Sequence, residues 1–280
     1  KVYAPASLPI DSSELSEPES VFFPSANNQK VHAFFYPPAN TYFCGHDDDL
    51  PLVIAICHGG PTGATQSSLN LKIQYWTNRG FAVVDINYRG STGFGRRYRQ
   101  GLVGAWGLAD VEDTQYAIGH LASLGKIDPE RCIIRGGSAG GYTVLSALTF
   151  TDTFKAGASL YGIGDLETLA KDTHKFESRY LDSLIGPYPE RKDIYIERSP
   201  INHIEGLNCP VIFLQGLEDK VVPPNQAEMM VNLLQSKGIK VAHVTFDDEG
   251  HGFRKAVNII RAMESELHFY QDVFNLIEAN

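Results

Sequence analysis

Six short apolar runs, at 52–57, 81–87, 131–134, 155–160, 211–215 and 241–246, recur along this chain and leave it few architectures. Most are rich in β-branched residues, as strands buried on both faces should be. Helix candidates lie between them at 69–79, 108–124, 141–150 and 225–237, and a last helix is expected over much of 255–278. Strand alternating with helix implies parallel strands joined by right-handed crossovers. The expectation is an α/β fold: a mostly parallel central sheet with helices on both faces.

Upstream, residues 1–18 are rich in Pro, Ser and Glu and are expected to be an irregular lead-in or linker. Two strand candidates follow, 20–23 and 30–36, around the turn-like Pro24-Ser25-Ala26-Asn27-Asn28, and predict an antiparallel hairpin. The loop at 37–49 ends in Asp47-Asp48-Asp49, an unspaced acidic run that fits a solvated turn better than a hard-cation loop. The segment 165–208 is long, polar and aromatic, and it interrupts the alternation. An insertion there is expected to form part of a binding site or cap.

One turn stands out chemically. Arg135-Gly136-Gly137-Ser138-Ala139-Gly140-Gly141-Tyr142 follows a strand candidate and opens a helix candidate, with Ser138 at the centre of a Gly-x-Ser-x-Gly pattern. Glycines on both sides let the backbone turn sharply where a Cβ would collide with the neighbouring strand and helix. The serine hydroxyl is then exposed, backed by a helix N-terminus that favours developing negative charge.

A serine is a poor nucleophile without a base. In open parallel sheets, chemistry collects beyond the carboxyl ends of the strands. Three loops leave those ends: His58-Gly59-Gly60-Pro61, Gly216-Leu217-Glu218-Asp219-Lys220-Val221-Val222-Pro223, and Asp247-Asp248-Glu249-Gly250-His251-Gly252-Phe253. Serine, then acid, then histidine is the triad order on this scaffold. Ser138 is the expected nucleophile, His251 the general base, and Asp219, in preference to Glu218, the residue that orients the imidazole. An oxyanion hole needs two convergent donors. The Ala139 N–H is one, and a backbone N–H of Gly60 or Gly59 is the other. His58 is expected to fix this loop rather than act as a second base. The remaining histidines show no metal-ligand spacing, so neither metal nor cofactor is expected.

The net charge of −9 argues against a nucleic-acid partner, which calls for a basic surface. No apolar run approaches the roughly 20 residues of a membrane span, so no membrane partner is expected. Four cysteines without a C-x-x-C motif fit reduced thiols better than a disulfide framework, which favours the cytoplasm. The chain begins with Lys and is expected to be a piece of a longer one.

The loops above, together with Asn87-Tyr88-Arg89-Gly90-Ser91-Thr92-Gly93-Phe94-Gly95 and Ser199-Pro200-Ile201-Asn202-His203, resemble the catalytic domain of the prolyl oligopeptidase family of serine peptidases, nearest its acylaminoacyl-peptidase and aminopeptidase branch. The resemblance spans nearly the whole chain from residue 20 onward. It implies an α/β-hydrolase fold over 19–280 and cleavage of short peptide substrates through an acyl-enzyme. Family members usually carry an N-terminal β-propeller before this domain. In several relatives a tyrosine hydroxyl serves the oxyanion hole at a position that looks equivalent to Phe94. Phenylalanine cannot donate, so the second donor is expected from backbone, or from Tyr88 if the loop folds differently. Where some relatives place a polar residue two positions after the acid, this chain has Val221.

By position, Tyr142, Tyr161, Leu166, Leu169 and Val222 are candidates for an apolar substrate slot beside Ser138. Glu177 and Arg179 are candidates for binding substrate termini or for a surface ion pair. The expected activity is that of a serine peptidase. A carboxylesterase is the same-class alternative, a non-catalytic binding module on a hydrolase scaffold the remoter one, and a homo-oligomer is left open.

Overall fold

The computed structural model describes residues 10–46, 49–172 and 179–276. Asp47, Asp48, Glu177 and the expected helix end at 277–278 lie outside the described residues. β1 (Glu19–Pro24) and β2 (Lys30–Tyr36) form an antiparallel hairpin. β3 (Val53–Cys57), β4 (Ala82–Asn87), β5 (Cys132–Gly137), β6 (Ala156–Leu160), β7 (Val211–Gly216) and β8 (Val241–Phe246) pair in parallel. β2 docks antiparallel on β4, giving one sheet of order β1-β2-β4-β3-β5-β6-β7-β8.

The helices are α1 (Leu71–Thr77), α2 (Arg96–Gln100), α3 (Ala109–Ser123), α4 (Ala139–Phe150), α5 (Leu166–Asp172), α6 (Tyr180–Leu184), α7 (Lys192–Arg198), α8 (Asn225–Ser236) and α9 (Ala256–Phe274). Side chains alternate across a strand, so each apolar run feeds two cores. Ile54, Val83, Ile133, Ile212 and Leu214 face α1 and α9 and pack with Trp76, Met263 and Tyr270. Ala55, Val84, Ile134 and Phe213 face α3, α4 and α8 and pack with Ile118, Val144, Leu148 and Met230. Burying each large apolar side chain contributes about 1.5–3 kcal/mol, and the two layers together fix the α/β-hydrolase fold.

Two boundaries differ from expectation for one reason. β5 runs on to Gly137 rather than ending at Ile134, because Arg135 and Gly136 pair with Ile56 and Cys57 of β3. α4 begins at Ala139 rather than Gly141, with Ser138 as its N-cap residue. The glycines therefore do not break the strand or the helix. They let strand and helix meet with a single residue between them.

Residues 10–18 have little regular structure but are held against the domain. The Ser16 N–H donates to Gln74 Oε1 at 2.7 Å, and Gln74 Nε2 donates back to the Ser16 carbonyl at 3.0 Å. Ser16 is buried, so the described part of the lead-in, residues 10–18, is anchored to the domain at this point. The insertion builds α5, α6 and α7 and joins the 101–107 loop through Gly104 N–H to Ser183 O and Trp106 N–H to Leu184 O. All four cysteines are free, and burial pushes the Cys57 and Cys132 thiols up to about 12. No helix among the described residues is long and apolar enough to cross a membrane.

Candidate active site

Ser138 sits at φ 57° and ψ −122°, a backbone conformation that costs a non-glycine residue on the order of 1–3 kcal/mol. Its neighbours make that conformation reachable. A Cβ on Gly136 would come within 2.4 Å of the Gly140 carbonyl oxygen, and one on Gly140 within 2.1 Å of the Cys57 carbonyl oxygen. The Ser138 N–H is anchored to Leu160 O at 3.0 Å, tying the turn to β6. Below the turn, Arg135 Nε donates to Glu266 Oε1 at 2.7 Å, and the Tyr270 hydroxyl donates to the same oxygen, so α9 is fastened under the elbow.

β7 and β8 deliver the other two side chains to the same sheet edge. Ser138 Oγ lies 2.9 Å from His251 Nε2, and His251 Nδ1 lies 2.8 Å from Asp219 Oδ2. Since the carboxylate only accepts, Nδ1 carries the proton and Nε2 is left free to accept from the serine hydroxyl. The other oxygen of Asp219 accepts from the Val221 N–H at 2.8 Å and the Val222 N–H at 2.9 Å. The Asp219 side chain is fully buried, whereas that of His251 is 25% exposed. Orientation is thus enforced from inside, and the reactive edge faces solvent. Glu218, the rejected alternative, contributes its backbone N–H to Glu249 O and so joins the acid loop to the histidine loop.

The loop after β3 lies against the elbow. An ideal Cβ on Gly59 would sit 3.6 Å from Ser138 Cβ. Gly60 has φ +125°, and a side chain there would strike the Thr62 and Gly63 N–H groups, so only glycine fits. His58 Nδ1 donates to the Gly59 carbonyl at 2.8 Å, while Nε2 lies 2.7 Å from Ser91 Oγ, whose own proton goes to the Tyr88 carbonyl at 2.7 Å. Burial holds the imidazole below its ordinary pKa, partly opposed by the bond to the Gly59 carbonyl. Carbonyl and N–H of one peptide point in opposite directions. A Gly59 carbonyl held by His58 therefore fixes which way the Gly60 N–H faces. As the first residue of α4, Ala139 has an N–H with no intrahelical acceptor.

Tyr88, the alternative oxyanion donor, is engaged elsewhere. Its hydroxyl donates to the His58 carbonyl at 2.8 Å and its ring stacks on the imidazole, so it braces the loop. Phe94 packs its ring 5.0 Å from that of His32 and 4.8 Å from that of Tyr98.

The expected substrate slot is largely corrected. Tyr142 is fully buried one turn along α4, its ring against Trp106 and its hydroxyl bonded to Arg198 O. Leu166, Leu169 and Val222 are buried in the core as well. Their apolar bulk seats the insertion and the acid loop on the domain, which removes it from the cleft. Tyr161 differs. Half-buried at φ +40°, it meets the His251 ring edge-on, with ring centres 4.9 Å apart, and lies directly over Gly137. Arg179 pairs with Asp182 at 2.9 Å on the surface.

Sequence reasoning passed over Glu249. Its carboxylate is buried and accepts from the Arg254 and Lys255 N–H groups and from Asn258 Nδ2. Burial opposes ionisation there, but these bonds outweigh it and hold the carboxyl below its ordinary range. Within the run Asp247-Asp248-Glu249 nothing distinguishes it from a solvated charge. The hydrogen bond between Thr62 Oγ1 and the Tyr180 hydroxyl, 2.7 Å, was equally silent, since it joins residues far apart in the chain.

This geometry can be set beside known proteins. Dipeptidyl aminopeptidase BIII of Pseudoxanthomonas mexicana is 33% identical over 218 residues, 76% of this chain and 32% of that protein. A puromycin hydrolase structure superposes with a TM-score of 0.95 at 41% identity, covering 98% of this chain and 42% of that one. A puromycin-hydrolysing peptidase of Mycobacterium tuberculosis gives 0.94 at 46% identity, covering 96% and 41%. The chain thus spans about a third of the length of the curated relatives it matches. The model of the prolyl oligopeptidase family matches residues 67–276, three quarters of the chain, and the protein belongs to that family.

Proposed function

We propose that the protein is a serine peptidase that hydrolyses short peptides through an acyl-enzyme, of the acylaminoacyl-peptidase or aminopeptidase and dipeptidyl-peptidase type. The observation that carries this reading is the unbroken hydrogen-bond chain from buried Asp219 through His251 to Ser138. Ser138 Oγ attacks the scissile carbonyl carbon while His251 Nε2 takes its proton. The C–N bond then breaks as the same proton passes to the leaving amine, and water repeats the sequence on the ester. Asp219 holds the imidazole tautomer and stabilises the imidazolium.

The N–H groups of Ala139 and Gly60 receive the oxyanion, the first reinforced by the α4 N-terminus and the second aimed by His58. Tyr161 walls the base on the substrate side, and no metal or cofactor enters the scheme. The resemblance to a dipeptidyl aminopeptidase and to puromycin-hydrolysing enzymes supports a peptidase acting on short substrates. We read residues 19–280 as the catalytic unit. The four free thiols support a reducing, cytoplasmic setting.

Turnover of aminoacyl p-nitroanilides against p-nitrophenyl esters tests the proposal. We expect anilide cleavage that disappears in Ser138→Ala. Ester turnover with no anilide or peptide cleavage would make the protein a carboxylesterase instead.

A further inference from the structure

We infer that the Glu249 carboxylate is a positioning residue for His251, a buried clamp that closes the base-bearing loop into a ring with the imidazole at its apex. The inference rests on the reading of His251 as general base.

β8 ends at Phe246 and α9 starts at Ala256, so the histidine loop must hold its shape without regular structure. Gly252, next to the base, has φ +99°, and Gly250 pairs with it in an isolated bridge, leaving the imidazole on a hairpin of two glycines. Such a turn has little stiffness of its own. Two anchors flank it. Two residues after His251, Phe253 packs on Phe246 at 4.4 Å and on Tyr161 at 5.5 Å. Two residues before it, the Glu249 side chain reaches across the loop. Oε1 accepts from Arg254 N–H at 3.1 Å, Lys255 N–H at 2.9 Å and Asn258 Nδ2 at 2.9 Å, and Oε2 shares the Arg254 donor at 3.1 Å. Lys255 is the N-cap residue of α9 and supplies no capping side chain, so Glu249 satisfies the start of that nineteen-residue helix from outside it.

The Glu249 backbone completes the arrangement. Its carbonyl accepts the Glu218 N–H at 3.0 Å, and a Cβ on Gly216 would come within 2.4 Å of that same oxygen. One residue thus fixes the histidine loop to α9 through its side chain and to the Asp219 loop through its main chain. The separation between His251 Nδ1 and Asp219 Oδ2 depends on both. Loosening the side-chain clamp lets His251 drift relative to Ser138, while surfaces that would hold substrate stay in place. The loss should fall on kcat and not on KM.

The test compares Glu249→Ala, Glu249→Gln and, as a neighbouring control, the exposed Asp247→Ala, because Asp248 shares Asn258 Nδ2 with Glu249. Each is assayed on an aminoacyl p-nitroanilide with active sites counted by a fluorophosphonate, after circular dichroism confirms folding. Wild-type labelling that vanishes in Ser138→Ala establishes the underlying reading independently. We expect E249A to lose about 10–100-fold in kcat with KM changed less than about twofold, because misplacing the base by a fraction of an ångström is enough. E249Q should recover to within about fivefold of wild type, since a carbonyl at the Oε1 position keeps three of the four contacts. D247A should change kcat less than about threefold.

A lowered Tm with unchanged kcat per titrated site would make Glu249 a helix cap and nothing more, overturning the inference. So would a loss carried by KM, an E249Q no better than E249A, or a D247A equally impaired. If E249A fails to fold, Asn258→Ala, which removes one donor from the clamp, is read by the same kcat criterion. An unchanged kcat there overturns the inference as well.

Discussion

Asp219 receives three hydrogen bonds, two from its own loop and one from His251, so its carboxylate is locked before the imidazole is considered. Asp219→Asn keeps an oxygen for the Val221 and Val222 N–H groups, but presents an N–H to His251 Nδ1. The imidazole must then carry its proton on Nε2, facing Ser138, and can no longer accept one there. We expect kcat to fall about 10³–10⁴-fold with folding intact, measured on an aminoacyl anilide beside a thermal melt. A drop below tenfold would mean that His251 is oriented by something else. The acid and base were legible in the chain because residues after strand ends share an edge whatever else the fold does. Glu249 and the His58–Ser91 bond were not. Their meaning lies in hydrogen bonds that no local pattern encodes.

At the scale of elements, glycine has two opposite effects in neighbouring helices. Gly140 opens α4 where an added methyl would meet the Cys57 carbonyl at 2.1 Å, backbone that cannot give way. Gly119 lies on the exposed side of α3 with nothing within 4 Å of such a methyl. Gly140→Ala should destabilise by about 1–3 kcal/mol or more and distort the elbow. Gly119→Ala should stabilise by about 0.5–1 kcal/mol, both read from urea midpoints. The same contrast explains which elements could be read in advance. Strands buried on both faces and helices of ten or more residues announce themselves by composition. α2, α5, α6 and α7 are five to seven residues long and are held by tertiary bonds such as Arg198 to the Gly104 and Trp106 carbonyls. The glycines at 136–141, usually breakers, lie inside β5 and α4 because close approach needs them there.

For the molecule as a whole, two buried carboxyls set a pH dependence of stability. Burial raises Asp110 to about 6 against the bonds from Thr143 and the Gly107 N–H, and it raises Asp85 to about 6 against that from Thr65. A carboxyl whose folded pKa lies above its unfolded value binds more protons in the native state between the two. Its contribution is therefore fully present at low pH and is lost as pH rises from about 4 through about 6. Melts of wild type and Asp110→Asn should show wild type relatively more stable near pH ~4.5 than near pH ~7, and a gap independent of pH would contradict the assignment. Global packing also decided what the substrate slot is not. Tyr142, Leu166, Leu169 and Val222 are apolar and close to the site in sequence, but the insertion uses them as its seat. What brings 138, 219 and 251 together is the sheet itself, through β5, β7 and β8. The most direct measurement of that convergence is fluorophosphonate labelling followed by peptide mass mapping, on wild type, Ser138→Ala and His251→Ala. The account predicts a single phosphonylated residue, Ser138, no labelling in S138A, and labelling slowed by at least about a hundredfold in H251A. Rapid labelling of another residue, or of Ser138 at an undiminished rate without His251, would contradict it.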